Sequence, residues 1–179
     1  MLADIAIKRY SGASGSASVR LDTLGGLGAL VFSTSDELSP LNNYPLDIPQ
    51  DGTKVSSYWV TIGLEAIEDP VGTVGNILFY TDGINSWPGT ELLVATASSY
   101  SQATGTLGVK GTTIYSHPNL SSAVMDAFSY TEGNPLSISG STTGIGPFGD
   151  LLIMQLVVGS TAEAGGLPIE SFHLTWDEV

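Results

Sequence analysis

The sequence predicts an all-β fold: a single β-sandwich or jelly-roll-like domain of about 8–10 short strands, with at most one short helix. Three observations predict it. Ser and Thr together number 39 and Gly 22, against only 5 Lys and Arg, so long helices have little to be built from while strands and turns have much. Turn signals recur every eight to twelve residues between apolar stretches. The run from Leu151 to Val158 is apolar but for Gln155, bounded by glycines and too short to span a membrane; it reads as a strand buried on both faces.

Residues 1–18 are expected as an N-terminal arm or edge strand, alternating loosely over 3–10, followed by the small-residue stretch 11–18 as a flexible spacer. The sandwich domain is expected over 19–179. Its first strands are drawn at 19–23 and 28–33. The segment 34–53 holds three prolines and the turn signals Asn42-Asn43 and Asp51-Gly52. It is expected to lie over the sheet or to reach a neighbour, pinned by Tyr44, Leu46 and Ile48.

Residues 55–65 read as the clearest central strand, with Tyr58, Val60, Ile62 and Leu64 on one face and Trp59 and Thr61 on the other. A turn at Glu68-Asp69-Pro70 leads into a buried strand over 73–80. Strands follow at 91–97 and, more weakly, at 104–110 and 112–116. The one place for a short helix is 119–128, where Asn119 caps and Leu120, Ala123, Val124 and Ala127 fall at helical spacing. An edge strand is expected at 137–139. The closing strand is read over 169–179, with Ile169, Phe172, Leu174 and Trp176 inward and Ser171, His173, Thr175 and Asp177 outward.

Composition excludes several function classes. With 18 acidic and 5 basic side chains, formal charge −13, the surface repels phosphate backbones, so no nucleic-acid partner is expected. There is no cysteine, which removes disulfides, thiolate metal sites and thiol nucleophiles. No window is apolar enough for a membrane span, and the N-terminus lacks the pattern of a signal peptide.

Motifs weigh against catalysis. Gly144-Ile145-Gly146-Pro147-Phe148-Gly149 has the letters of a dinucleotide fingerprint, but a strand follows where a helix is required. No Gly-x-Ser-x-Gly elbow surrounds a serine, and His117 and His173 stand 56 positions apart. No cofactor is expected; calcium held by turn oxygens, as at Asp82-Gly83-Ile84-Asn85, is the one alternative. Trp59, Trp87 and Tyr100 are the aromatics that a sugar-binding groove would use.

The segment 149–162 and the ending 172–178 resemble the closing hairpin of virion structural proteins of tailed bacteriophages, including capsid decoration (cement) proteins. Trp59-Val60 and residues 76–82 are similar in style. The resemblance implies a non-enzymatic protein of the virion, assembled in the host cytoplasm, that stabilises a capsid shell. It implies the major capsid protein or other virion subunits as partners, and a homo-oligomer, a trimer, as the working form. A tail, neck or fibre-associated component, a carbohydrate- or receptor-binding module, and a hydrolase are the other classes. Candidate partner-binding residues are Ile5, Ile7, Tyr10, Tyr44, Leu46, Ile48, Trp59 and Trp87. If residues 1–10 are a docking arm, deleting them leaves a folded protein that no longer binds capsids.

Overall fold

The computed structural model describes residues 3–22, 30–38, 44–164 and 168–179. The chain is all-β and sandwich-like: strand takes 43% of it and helix 4%. Twelve strands are described: β1 (Ile5–Ser11), β2 (Ala17–Arg20), β3 (Lys54–Ser56), β4 (Val60–Ala66), β5 (Val74–Tyr80), β6 (Thr90–Ala97), β7 (Gly105–Thr106), β8 (Lys110–Gly111), β9 (Met125–Asp126), β10 (Leu136–Ile138), β11 (Gly146–Gly159) and β12 (His173–Glu178). A large antiparallel sheet runs β2-β1-β4-β11-β6-β9, with β3 also on β11; a smaller one runs β10-β5-β12, and β7-β8 form a separate hairpin.

The apolar run forms the spine. From Leu152 to Val158 every side chain of β11 is buried. Leu152, Met154, Leu156 and Val158 join Val60, Ile62 and Leu64 of β4 and Leu92 and Val94 of β6 in a core against Ile77 and Phe79 of β5. Phe172, Leu174 and Trp176 seal that core from the β12 side. On the opposite face of the large sheet, Ile153 packs with Tyr58, Trp59, Ala95, Ala97, Ala103 and Ile114. The segment 98–124 supplies this second cover, so the body has three layers. Period-2 alternation sends one β11 residue to each layer in turn.

Bulges set the remaining parities. Ser56 is opposite Val157 and Val60 opposite Met154, so three residues on one strand face two on the other. The expected strand over 55–65 is thereby split, and the extra residue turns both Tyr58 and Trp59 into the second core. Tyr58 therefore leaves the face assigned to it. In β5, the register skips between Thr175↔Leu78 and Asp177↔Gly75. Asn76 takes a left-handed conformation there (φ 49°) and its amide donates to Asp177 at 2.7 Å. That bulge lets both Val74 and Ile77 point inward.

Other expectations are corrected. Residues 5–11 are not an arm: β1 is an interior strand between β2 and β4, with Ile5, Ala6, Arg9 and Ser11 buried. The stretch expected as a flexible spacer is a hairpin turn. Gly12 and Gly15 hold positive φ, the Gly15 N–H donates to Gly12 O at 3.2 Å, and the Tyr100 ring lies where a Gly15 side chain would stand. No α-helix forms over 119–128. The Asn119 N–H turns back to His117 Nδ1, and one 3₁₀ turn, Ala127–Ser129, is capped by Asp126. The last two strands are not a hairpin, since β11 and β12 lie in different sheets. Ile169 is exposed, whereas the alternation of Phe172, Leu174 and Trp176 holds. The strand expected over 28–33 lies partly outside the described residues, and 30–33 form no strand, although Ser33 O accepts the Tyr58 N–H at 2.9 Å. The segment 44–48 lies over the core as one of its two expected placements, with Leu46 and Ile48 packed against it.

Candidate interaction surfaces

The proposed contact residues scatter. Ile5 is core. Ile7 is half-buried and lines a cleft; Tyr10 lies against Gly63 of the neighbouring strand. Trp59 is 5% exposed, its indole N–H donating to Ser101 O at 3.0 Å and its ring meeting His117 edge-on. A ring so enclosed offers nothing to a partner or a sugar. Trp87 is half-buried, with its indole N–H held by Pro168 O at 2.8 Å and its edge toward Phe172. Tyr44 accepts the Thr34 N–H through its carbonyl at 3.0 Å.

Two apolar clefts open between layers. One, of about 620 Å³, runs between the sheets under Trp87 and Phe172, floored by Ile62, Leu152 and Met154. It brings Ile7 and Trp87 together. The other, of about 920 Å³, lies beneath 45–48 and brings Leu46 and Ile48 together over Leu156 and Val158. Both fall in the size range of small-molecule sites; Asp22, Glu170 and His173 are among the polar residues lining the first, and Asp47, Gln50 and Glu163 among those lining the second.

Polar groups also gather at the turn after β1. Asp36 Oδ2 accepts from the Gly12 N–H and from Gln102 Nε2, each at 3.0 Å. Tyr100 donates its hydroxyl to Gly12 O at 2.7 Å, and burial with Asp36 nearby pushes its phenol up. Arg9, 4% exposed, is drawn down by burial and held against that loss by Asp36. Arg9 Nε is buried with no hydrogen-bond partner among the described residues, whereas Asp36 Oδ2 and the Tyr100 hydroxyl are both engaged. This node clamps the β1–β2 turn to the segment 98–124.

Gln155 is the second polar device and is fully buried. Its Oε1 accepts from the Ile114 N–H at 2.7 Å; its Nε2 donates to Ser57 O at 2.6 Å and Thr112 O at 2.8 Å. The lone polar letter in the apolar run thus satisfies the backbone of the covering segment from inside the core. The Ser57 hydroxyl accepts the Leu156 N–H beside it.

The histidines do not meet. His117, buried beneath the large sheet's second layer, accepts a hydrogen bond on Nδ1, and burial lowers its pKa, so the neutral ring carries its proton on Nε2. His173 is exposed on the outer face of the small sheet, stacked on Tyr80 at 4.9 Å. Acids serve turns instead: Asp82 Oδ1 accepts the Ile84 N–H, and Asp126 Oδ1 the Phe128 N–H. Among the described residues no three acids or histidines converge to hold a metal ion.

One surface was missed in sequence. At one end of the sandwich, Ile67 (37% exposed), Val71 (81%), Ile145 (64%) and Val179 (89%) stand out of three separate segments. The Glu178 carboxylate joins them, accepting the Ala3 N–H through one oxygen and the Val71 N–H through the other, both at 2.8 Å. These backbone donors hold it below the usual carboxylate range. The available signal was apolar residues inside turn segments, where polar ones are the rule. No family model matches the chain, and no curated protein or solved structure matches it.

Proposed function

We propose that the chain is a non-enzymatic virion structural protein that stabilises a tailed-phage capsid shell, working as a homo-oligomer, a trimer, against the major capsid protein. The observation that carries this reading is where its unspent apolar surface lies. Large apolar side chains stand exposed on turns at the ends of a body whose sheet is covered on both faces. That is contact area on a rigid support, the equipment of a protein that acts by burying surface. The sequence resemblance of 149–162 and 172–178 to such proteins supplies the class. The sugar-binding alternative loses its aromatic set, because Trp59 is enclosed and Tyr100 is tied to Gly12. For the hydrolase alternative, the two histidines do not converge: His117 lies under the second layer and His173 on the small sheet.

Quantitative mass spectrometry of purified particles tests the reading. A copy number near that of the shell protein, or a fixed large fraction of it, is expected. A handful of copies per particle moves the chain to the tail or neck, and its absence from particles discards the virion reading.

A further inference from the structure

We propose that the end face formed by Ile67, Val71, Ile145 and Val179 docks onto a basic protein surface; resting on the reading above, that surface belongs to the shell subunit. Adjacency follows from the hydrogen bonds. Ala66↔Gly146 is a register pair of β4 and β11, so Ile67 and Ile145 leave neighbouring strand ends side by side. The Ile67 N–H donates to Asp4 O at 2.8 Å, next to Ala3, whose own N–H reaches Glu178. Glu178 also holds Val71, and Thr73 and Val179 exchange both backbone hydrogen bonds. Four segments are thereby fixed relative to one another, and ordering them costs a partner nothing further.

Charge selects the occupant. Glu68 and Asp69 stand exposed between Ile67 and Val71, and no ion pair engages them among the described residues. Of the basic residues of the adjoining strands, Lys8 is engaged by Glu65, Arg20 by Asp4 and Asp22, and Arg9 is buried. A twofold pairing of two copies through this face would set Glu68 and Asp69 against themselves. A surface of apolar side chains flanked by Lys or Arg satisfies both features, and the formal charge of −13 steers it in.

A chain without cysteine makes the test clean, since a single introduced thiol is the only attachment point. Val71→Cys, carrying a thiol-linked photocrosslinker, is mixed with shells of the encoding virus that lack this chain. Thr113→Cys, exposed on the second-layer segment, is the control. Crosslinks to the shell subunit from position 71 and none from 113 are expected. The double variant Ile67→Ser/Ile145→Ser, its fold checked by thermal melting, is expected to bind about tenfold more weakly or worse. Glu68→Gln/Asp69→Asn is expected to flatten the salt dependence of association. Shell binding by the wild type with no crosslink at 71 and full affinity in the serine variant discards this face and leaves the shell reading standing. Crosslinks to another copy of the chain overturn the basic partner. Failure of the wild type to bind shells at all removes the shell reading and this partner together.

Discussion

Gln155 carries more of the architecture than any other single polar residue. Its amide uses both donors and its oxygen on three backbone groups of two different segments, all out of water. Replacing it by leucine keeps the volume but strands the Ile114 N–H and the Ser57 and Thr112 carbonyls. Each buried unpaired group costs about 1–3 kcal/mol, and partial relaxation of the covering segment recovers some of that. Gln155→Leu is therefore expected to lose about 3 kcal/mol in urea denaturation; a variant as stable as wild type would mean that the segment 98–124 does not depend on this anchor. The oddity was visible in sequence as one amide in an eight-residue apolar run. Its partners were not, because they sit 41, 43 and 98 positions away and only the sandwich's second layer brings them in. The end face was illegible for the related reason that Ile67, Val71 and Ile145 carry no periodicity; only hydrogen bonds through Asp4 and Glu178 make them neighbours.

At the scale of elements, strands with strong alternation or a long apolar run were legible, and placement in the sheet was not. Residues 74–80, 90–97 and 146–159 form strands close to where they were drawn. The bulges at Ser57–Trp59 and Asn76 shift side-chain parity without leaving a composition signal, which is why Tyr58 changed faces. The N-terminal segment was misread for want of an apolar run. Its alternation is diluted by Lys8, Arg9 and Tyr10, yet Lys8 ion-pairs with Glu65 and Arg9 is enclosed. That reversal changes what a truncation does. Removing residues 1–10 extracts an interior strand that pairs with β4 through six residue positions and leaves β2 without a neighbour. It also strips Ile5 and Ala6 from the core. The expected outcome is a protein lacking a cooperative melt, with exposed apolar surface that binds ANS. A truncated chain that melts like the full one would return residues 1–10 to the role of an arm.

Across the whole molecule a charge imbalance that opposes folding is set against a few ion pairs that favour it. All five basic residues are described: Lys8, Arg20 and Lys54 sit in ion pairs at the surface, Arg9 is enclosed near Asp36, and Lys110 has no ion pair among the described residues. Exposed pairs of this kind contribute about 0–1 kcal/mol each. The acids beyond these pairs repel one another over a compact body, and at low ionic strength the Debye length of about 30 Å spans most of it, against about 8 Å at 0.15 M. The two effects respond oppositely to salt, because screening weakens attraction and repulsion alike. If repulsion dominates, raising NaCl from about 10 to about 150 mM stabilises the fold by about 1 kcal/mol, a rise in Tm of about 2–4 °C for a domain of this size. A fall in Tm over the same range would show the Lys8–Glu65, Arg20–Asp4 and Lys54–Glu91 pairs outweighing the net field. Basic partners act on the same imbalance: neutralising Glu68 and Asp69 at the end face relieves repulsion that salt relieves only diffusely, so association through that face is strongest at low ionic strength, where the free chain is least stable.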